Sequence, residues 1–99
     1  MRISSIERDH IVATARSHFG DASRVVLFGS RVDDAARGGD IDLLIEASRP
    51  VAQPVRSEAA FLIDLWQRIG EQRIDVVLKQ PGAPEQTIHK VANALGVVL

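Results

Sequence analysis

Acidic side chains stand at alternating positions of two apolar runs. Asp40 and Asp42 fall in DIDLLIE, and Asp75 falls in the similar run RIDVVL. Two acids at positions i and i+2 of a strand share one face, about 6 to 7 Å apart along the chain. Their like charges raise each other's pKa unless a cation neutralises them, so the pair is suited to Mg²⁺. An isolated Asp-x-Asp is more often the solvated face of an edge strand, so the neighbouring motifs must distinguish a metal site from a solvated face.

A Gly-Ser pair supplies the second part of the pattern. Gly29-Ser30 follow the β-branched run RVVLF, where backbone amides and a hydroxyl are suited to a phosphate. If the first two strands are antiparallel, and the third is parallel to the second through a right-handed crossover, Asp40, Asp42 and Asp75 reach the same end of a mixed sheet. Three carboxylates around two magnesium ions serve in-line phosphoryl or nucleotidyl transfer.

The elements that must position these residues follow from hydrophobic periodicity. Alternating or β-branched apolar runs predict strands, and spacings of three and four predict helices. The first helix begins at a capping box formed by Ser4 and Glu7. The predicted strands are 24–28, 40–46, 73–78 and a short one at 97–99. The predicted helices run to about His18, from 55 to 69 and from 88 to 95. The fold class is therefore α+β, a small mixed β-sheet with helices packed on it.

Composition narrows the class of protein. The chain of 99 residues is predicted to form a single domain, 1–99, without room for a separate substrate-binding domain. A net charge of −1 and no long basic cluster argue against extended nucleic-acid binding. The absence of cysteine excludes disulfides and thiolate metal sites. No apolar run is long enough for a membrane span, and the charged N-terminus is unlike a signal peptide. We expect a cytoplasmic protein.

The order of these motifs resembles the signature of the DNA polymerase β-like nucleotidyltransferase superfamily. The segments FGSR, GGDIDLLIE and IHKVANALGVVL are similar, more narrowly, to the minimal nucleotidyltransferases, the MNT family. The resemblance implies the polymerase β-like nucleotidyltransferase fold. It also implies that Asp40 and Asp42 bind two Mg²⁺ ions and that Asp75 completes the site as ligand and base. By the same resemblance, Gly29 and Ser30 hold the nucleoside triphosphate, with Arg31 as a further phosphate neighbour.

The resemblance also implies a reaction and a partner. Family members commonly pair with a HEPN-domain protein encoded nearby, and several act as antitoxins that transfer AMP from ATP to a tyrosine of a HEPN toxin. A hetero-oligomer is then expected. Two alternatives stay open: a catalytically weak binding module that neutralises the HEPN partner by contact, and an aminoglycoside-type nucleotidyltransferase with a separate substrate-binding subunit. The segment RVDD at 31–34 departs from the commoner Arg-x-Arg-Gly, which favours the first alternative.

Overall fold

A computed structural model describes residues 3–32 and 39–99, and these residues form an α+β fold of three α-helices and one four-stranded mixed sheet. This confirms the predicted fold class. The elements are α1 (Ser5–Phe19), β1 (Arg24–Phe28), β2 (Ile41–Glu46), α2 (Pro54–Ile69), β3 (Ile74–Lys79), α3 (Thr87–Leu95) and β4 (Val97–Val98), with a 3-10 helix at Gly29–Val32.

The sheet has the strand order β3-β2-β1-β4. Strand β1 runs antiparallel to β2, and β2 runs parallel to β3, as the sequence predicts. In this register Phe28 pairs with Asp42, and Asp42 pairs with Asp75. The end of β1, the start of β2 and the start of β3 therefore lie at the same end of the sheet.

The strand boundaries differ from the predicted ones by a residue. Strand β2 begins at Ile41 rather than at residue 40, β3 spans 74–79 rather than 73–78, and β4 spans 97–98 rather than 97–99. The first pairing between β2 and β3 joins Ile41 to Ile74, and the Ile41 amide donates to the Arg73 carbonyl at 3.0 Å. Asp40 therefore lies just outside the paired ladder. The first helix ends at Phe19, and α2 begins at Pro54, one residue beyond each prediction.

Side chains of β2 alternate between two unequal faces of the sheet. Ile41, Leu43 and Ile45 belong to the larger core cluster, which includes buried side chains of α1 and α2. Leu44 belongs to the smaller cluster, with Ala92 of α3. Because alternate residues of a strand point to opposite faces, Asp42 lies on the same face as Leu44. The acid is thus placed on the more thinly covered side of the sheet.

The predicted capping box at the start of α1 is present. The Glu7 amide donates to the Ser4 Oγ at 3.0 Å, and the Ser4 amide donates to the Glu7 Oε1 at 3.1 Å. Two otherwise unpaired backbone amides of the helix N-terminus are thereby satisfied. Among the helices of residues 3–32 and 39–99, none combines the length and apolarity that crossing a bilayer requires.

An ionic contact joins α1 to α2 and predicts an acid-dependent loss of stability. Asp64 Oδ2 lies 2.9 Å from His18 Nε2, and Asp64 Oδ1 accepts from Arg68 Nε at 3.0 Å. The His18 contact first, and Arg68 second, hold the pKa of Asp64 below its ordinary value. A lowered pKa stabilises the fold above the unfolded pKa, and that contribution disappears as pH falls below about 4.

We expect Asp64→Asn to reduce this loss of stability at acid pH. Urea unfolding between pH 2 and pH 7 should show a smaller decrease of stability below about pH 4 for the variant than for the wild type. The exposed acid Asp21 provides a control, because Asp21→Asn leaves the contact between the helices intact. Parallel curves for Asp64→Asn and the wild type would contradict the assignment.

Candidate functional site

The turn after β1 passes directly over an acidic side chain. Gly29 has a φ of +75°, a left-handed conformation that glycine adopts without strain. A Cβ atom at Gly29 would lie only 2.1 Å from Asp42 Oδ2. Glycine is therefore required here twice, for its backbone conformation and for the close approach to the Asp42 carboxylate. The predicted phosphate-binding turn and the predicted metal-binding acid are immediate neighbours.

Asp42 and Asp75 form the centre of the acidic site. They are register partners on adjacent parallel strands, so their side chains point to the same face, and their carboxyl groups are within hydrogen-bonding reach. Burial raises the pKa of Asp42, and the negative charges of Asp75 and Asp40 raise it further. At neutral pH the ionised pair is electrostatically unfavourable until a cation neutralises it.

Asp40 lies at the edge of this pair. It immediately precedes β2, and its Oδ2 is 3.7 Å from Nε of the exposed Arg73. Within residues 3–32 and 39–99, no three His, Cys, Asp or Glu side chains are gathered closely enough to hold a metal ion. Asp40, which the sequence predicts as a third Mg²⁺ ligand, contacts Arg73 in this structure. The oxygen-rich donor set and the excess charge around Asp42 nevertheless fit a hard divalent cation.

Arg31 connects the two ends of the segment that leads to Asp40. Its Nη2 donates to the Gly39 carbonyl at 2.8 Å, so Gly39 is held beside the 3-10 helix that starts at Gly29. The sequence predicts Arg31 as a phosphate neighbour, and the structure adds this contact to the backbone before Asp40. The Ser30 side chain, predicted to bind phosphate, lies outside what the structure describes. Residues 33–38, which include the two acids of the RVDD segment, also lie outside the described residues.

A contact that the sequence does not predict joins α1 to the segment before β3. Glu7 Oε2 accepts a hydrogen bond from Gln72 Nε2 at 3.3 Å, and Gln72 lies three residues before Asp75. Trp66 Nε1 donates to the Gln72 carbonyl at 2.9 Å, in addition to packing against the core. Glu7 and Gln72 are separated by 65 positions. No local spacing signals such a contact, whereas the Glu7 cap was visible from the sequence.

Comparison with known proteins agrees with this arrangement. The family model described as a nucleotidyltransferase domain matches residues 9–95, which extend from α1 to the end of α3. The matched region includes Gly29, Asp42 and Asp75. No curated protein matches the chain significantly.

Proposed function

The chain belongs to the nucleotidyltransferase domain family, and from that membership we propose that it transfers AMP from ATP to a hydroxyl group of a partner protein. The observation that carries the proposal is the contact between the Gly29 turn and the acidic pair Asp42 and Asp75. A turn that can hold a triphosphate and carboxylates that can hold its counter-ions are both required for this reaction.

Each residue of the site has a distinct role in the proposed reaction. Asp42 and Asp75 would hold Mg²⁺, and Asp40, which now contacts Arg73, would be the third ligand that the family resemblance implies. When bound, the metal neutralises the triphosphate and lowers the pKa of the acceptor hydroxyl. Asp75 is exposed, so it can accept the proton of that hydroxyl. The acceptor oxygen forms a bond to the α-phosphorus, the bond from the α-phosphorus to the bridging oxygen breaks, and pyrophosphate leaves.

The acceptor we propose is a tyrosine of a HEPN-domain toxin encoded nearby, with the chain as its antitoxin. The resemblance of FGSR and GGDIDLLIE to the MNT family supports this choice. Exposed apolar side chains of α3 and β4 offer a surface for such a partner, since Leu95 is 71% and Val98 is 57% exposed. Apolar exposure of this kind is common at protein interfaces.

Transfer of a radioactive label tests the proposal directly. The chain is incubated with Mg²⁺, ATP labelled at the α-phosphate and the HEPN protein encoded beside it. We expect label on the HEPN protein, a mass gain of one AMP on a single tyrosine, and no transfer when that tyrosine is replaced by phenylalanine. Parallel reactions with GTP, CTP and UTP establish the nucleotide preference. Absence of label with all four nucleotides would contradict the proposed reaction.

A binding module is the second candidate, because Asp40 contacts Arg73 and the apolar face of α3 is exposed. In that case a variant carrying both Asp42→Asn and Asp75→Asn still protects cells from the HEPN toxin. Loss of protection in the double variant, with unchanged binding to the toxin, favours catalysis.

If small molecules such as aminoglycosides are the acceptors, nucleotidylated product appears in the absence of any HEPN protein.

A further inference from the structure

The Glu7 carboxylate makes one more contact than its helix cap requires. Its Oε1 accepts from the Ser4 amide, which completes the capping box, while its Oε2 accepts from Gln72 Nε2 at 3.3 Å. The Gln72 backbone is fixed in turn by the hydrogen bond from Trp66. Because Gln72 leads directly into β3, Glu7 joins the first turn of α1 to the strand that carries Asp75.

The Glu7 carboxylate is held mainly by its hydrogen bonds, with a small electrostatic contribution from Arg31. Its pKa is lowered, chiefly by the hydrogen bond from the Ser4 amide and to a smaller extent by Gln72 and by the positive charge of Arg31, while burial acts in the opposite direction. Arg31 therefore lies within electrostatic range of the Glu7 carboxylate.

We propose that Glu7 is a positioning residue of the nucleotidyl-transfer site. It holds Gln72 through a hydrogen bond, and Gln72 leads directly into the strand that carries Asp75. Glu7 thereby links the first turn of α1 to the segment before Asp75, which is distant from it in the sequence. This inference rests on the proposed function, because it assigns Glu7 a role in the geometry of that site.

The helix cap and the proposed role are separable by substitution. Glu7→Gln keeps an Oε1 that can accept from the Ser4 amide, but its amide nitrogen cannot accept from Gln72, and it carries no charge toward Arg31. Ser4→Ala removes the Oγ that accepts from the Glu7 amide and weakens the helix end. It leaves both Glu7 oxygens with their partners. Ser4→Ala is therefore the matched control for loss of helix stability.

Mn²⁺ binding, followed by electron paramagnetic resonance, provides a readout that does not depend on activity. Loss of a residue that orients ligands typically costs about 10- to 100-fold in metal affinity or activity. We expect Glu7→Gln to weaken Mn²⁺ binding, and kcat/KM for AMP transfer, by about tenfold. Ser4→Ala should stay within about twofold of the wild type in both measurements. Urea unfolding verifies that both variants are folded under the assay conditions.

A double variant tests the direction of the hydrogen bond. Combining Glu7→Gln with Gln72→Glu places the donor on position 7 and the acceptor on position 72, so we expect tighter Mn²⁺ binding than with Glu7→Gln alone. Equal Mn²⁺ affinities for Glu7→Gln and Ser4→Ala would show that Glu7 is only a cap and would overturn the inference. A wild-type chain that binds no Mn²⁺ and transfers no nucleotide would instead overturn the proposed function.

Discussion

Asp42→Asn is expected to abolish nucleotidyl transfer while leaving the chain folded and, without metal, more stable than the wild type. Asp42 is the acid that the Gly29 turn contacts and that pairs with Asp75. An amide in its place cannot supply the negative charge that a divalent cation requires. Because metal ions contribute several kcal/mol of transition-state stabilisation, we expect a loss of at least about 10³-fold in kcat/KM.

The expected gain in stability follows from the direction of the pKa shift. Burial first, and the charges of Asp75 and Asp40 next, raise the pKa of Asp42 above its unfolded value. The folded chain then binds a proton more tightly than the unfolded chain, so ionisation of Asp42 at neutral pH disfavours folding. Without metal, the stability of the wild type should rise as pH falls from neutral toward about 4. Asp42→Asn should remove this dependence.

The measurement combines activity with thermal unfolding in EDTA and in Mg²⁺. Mg²⁺ should raise the melting temperature of the wild type, since a ligand that binds only the native state stabilises it, and should have little effect on Asp42→Asn. Glu58→Gln is the matched control, because burial also raises the pKa of Glu58 on α2. It should increase stability in the same direction and retain activity. Full activity in Asp42→Asn would contradict the assignment of the acidic site.

The sequence predicted the arrangement of the strands because each signal was local or topological. Ile41, Leu43 and Ile45 alternate with Asp42 along β2. Because successive side chains of a strand point to opposite faces, this pattern places the three apolar residues on one face and Asp42 on the other. The Gly-Ser pair marks the end of β1. The long helical connection through α2 then allows β2 and β3 to run parallel. These rules alone predict that Asp42 and Asp75 lie at the same end of the sheet.

Contacts that depend on tertiary packing were not predictable in this way. Periodicity identifies which face of a strand a residue occupies. The start of β2, however, is set by the hydrogen bond from the Ile41 amide to the carbonyl of Arg73, the residue directly before β3. The contact between Asp40 and Arg73 and that between Glu7 and Gln72 likewise join distant segments. Exposed and half-buried polar side chains leave no hydrophobic pattern, so spacing carries no signal for them.

Gly29→Ala is expected to cause the second large effect, a loss of activity well beyond its cost in stability. Two terms contribute. A left-handed backbone costs a residue with a Cβ about 1 to 2 kcal/mol, and the new Cβ would lie 2.1 Å from Asp42 Oδ2. The carboxylate or the turn must shift, and a displacement of about 1 Å in a positioned group can cost about 10²-fold in rate. We therefore expect at least that loss in kcat/KM.

Gly82→Ala separates the two terms. Gly82 has a φ of +74°, almost the same as the +75° of Gly29, but a Cβ there meets no atom of the described residues within 4 Å. Both variants should lose about 1 to 2 kcal/mol of unfolding free energy in urea from the backbone term, with a further loss in Gly29→Ala. Only Gly29→Ala should lose activity and Mn²⁺ affinity. Equal activities in the two variants would show that the turn tolerates a side chain against Asp42, and the close approach would then have no functional role.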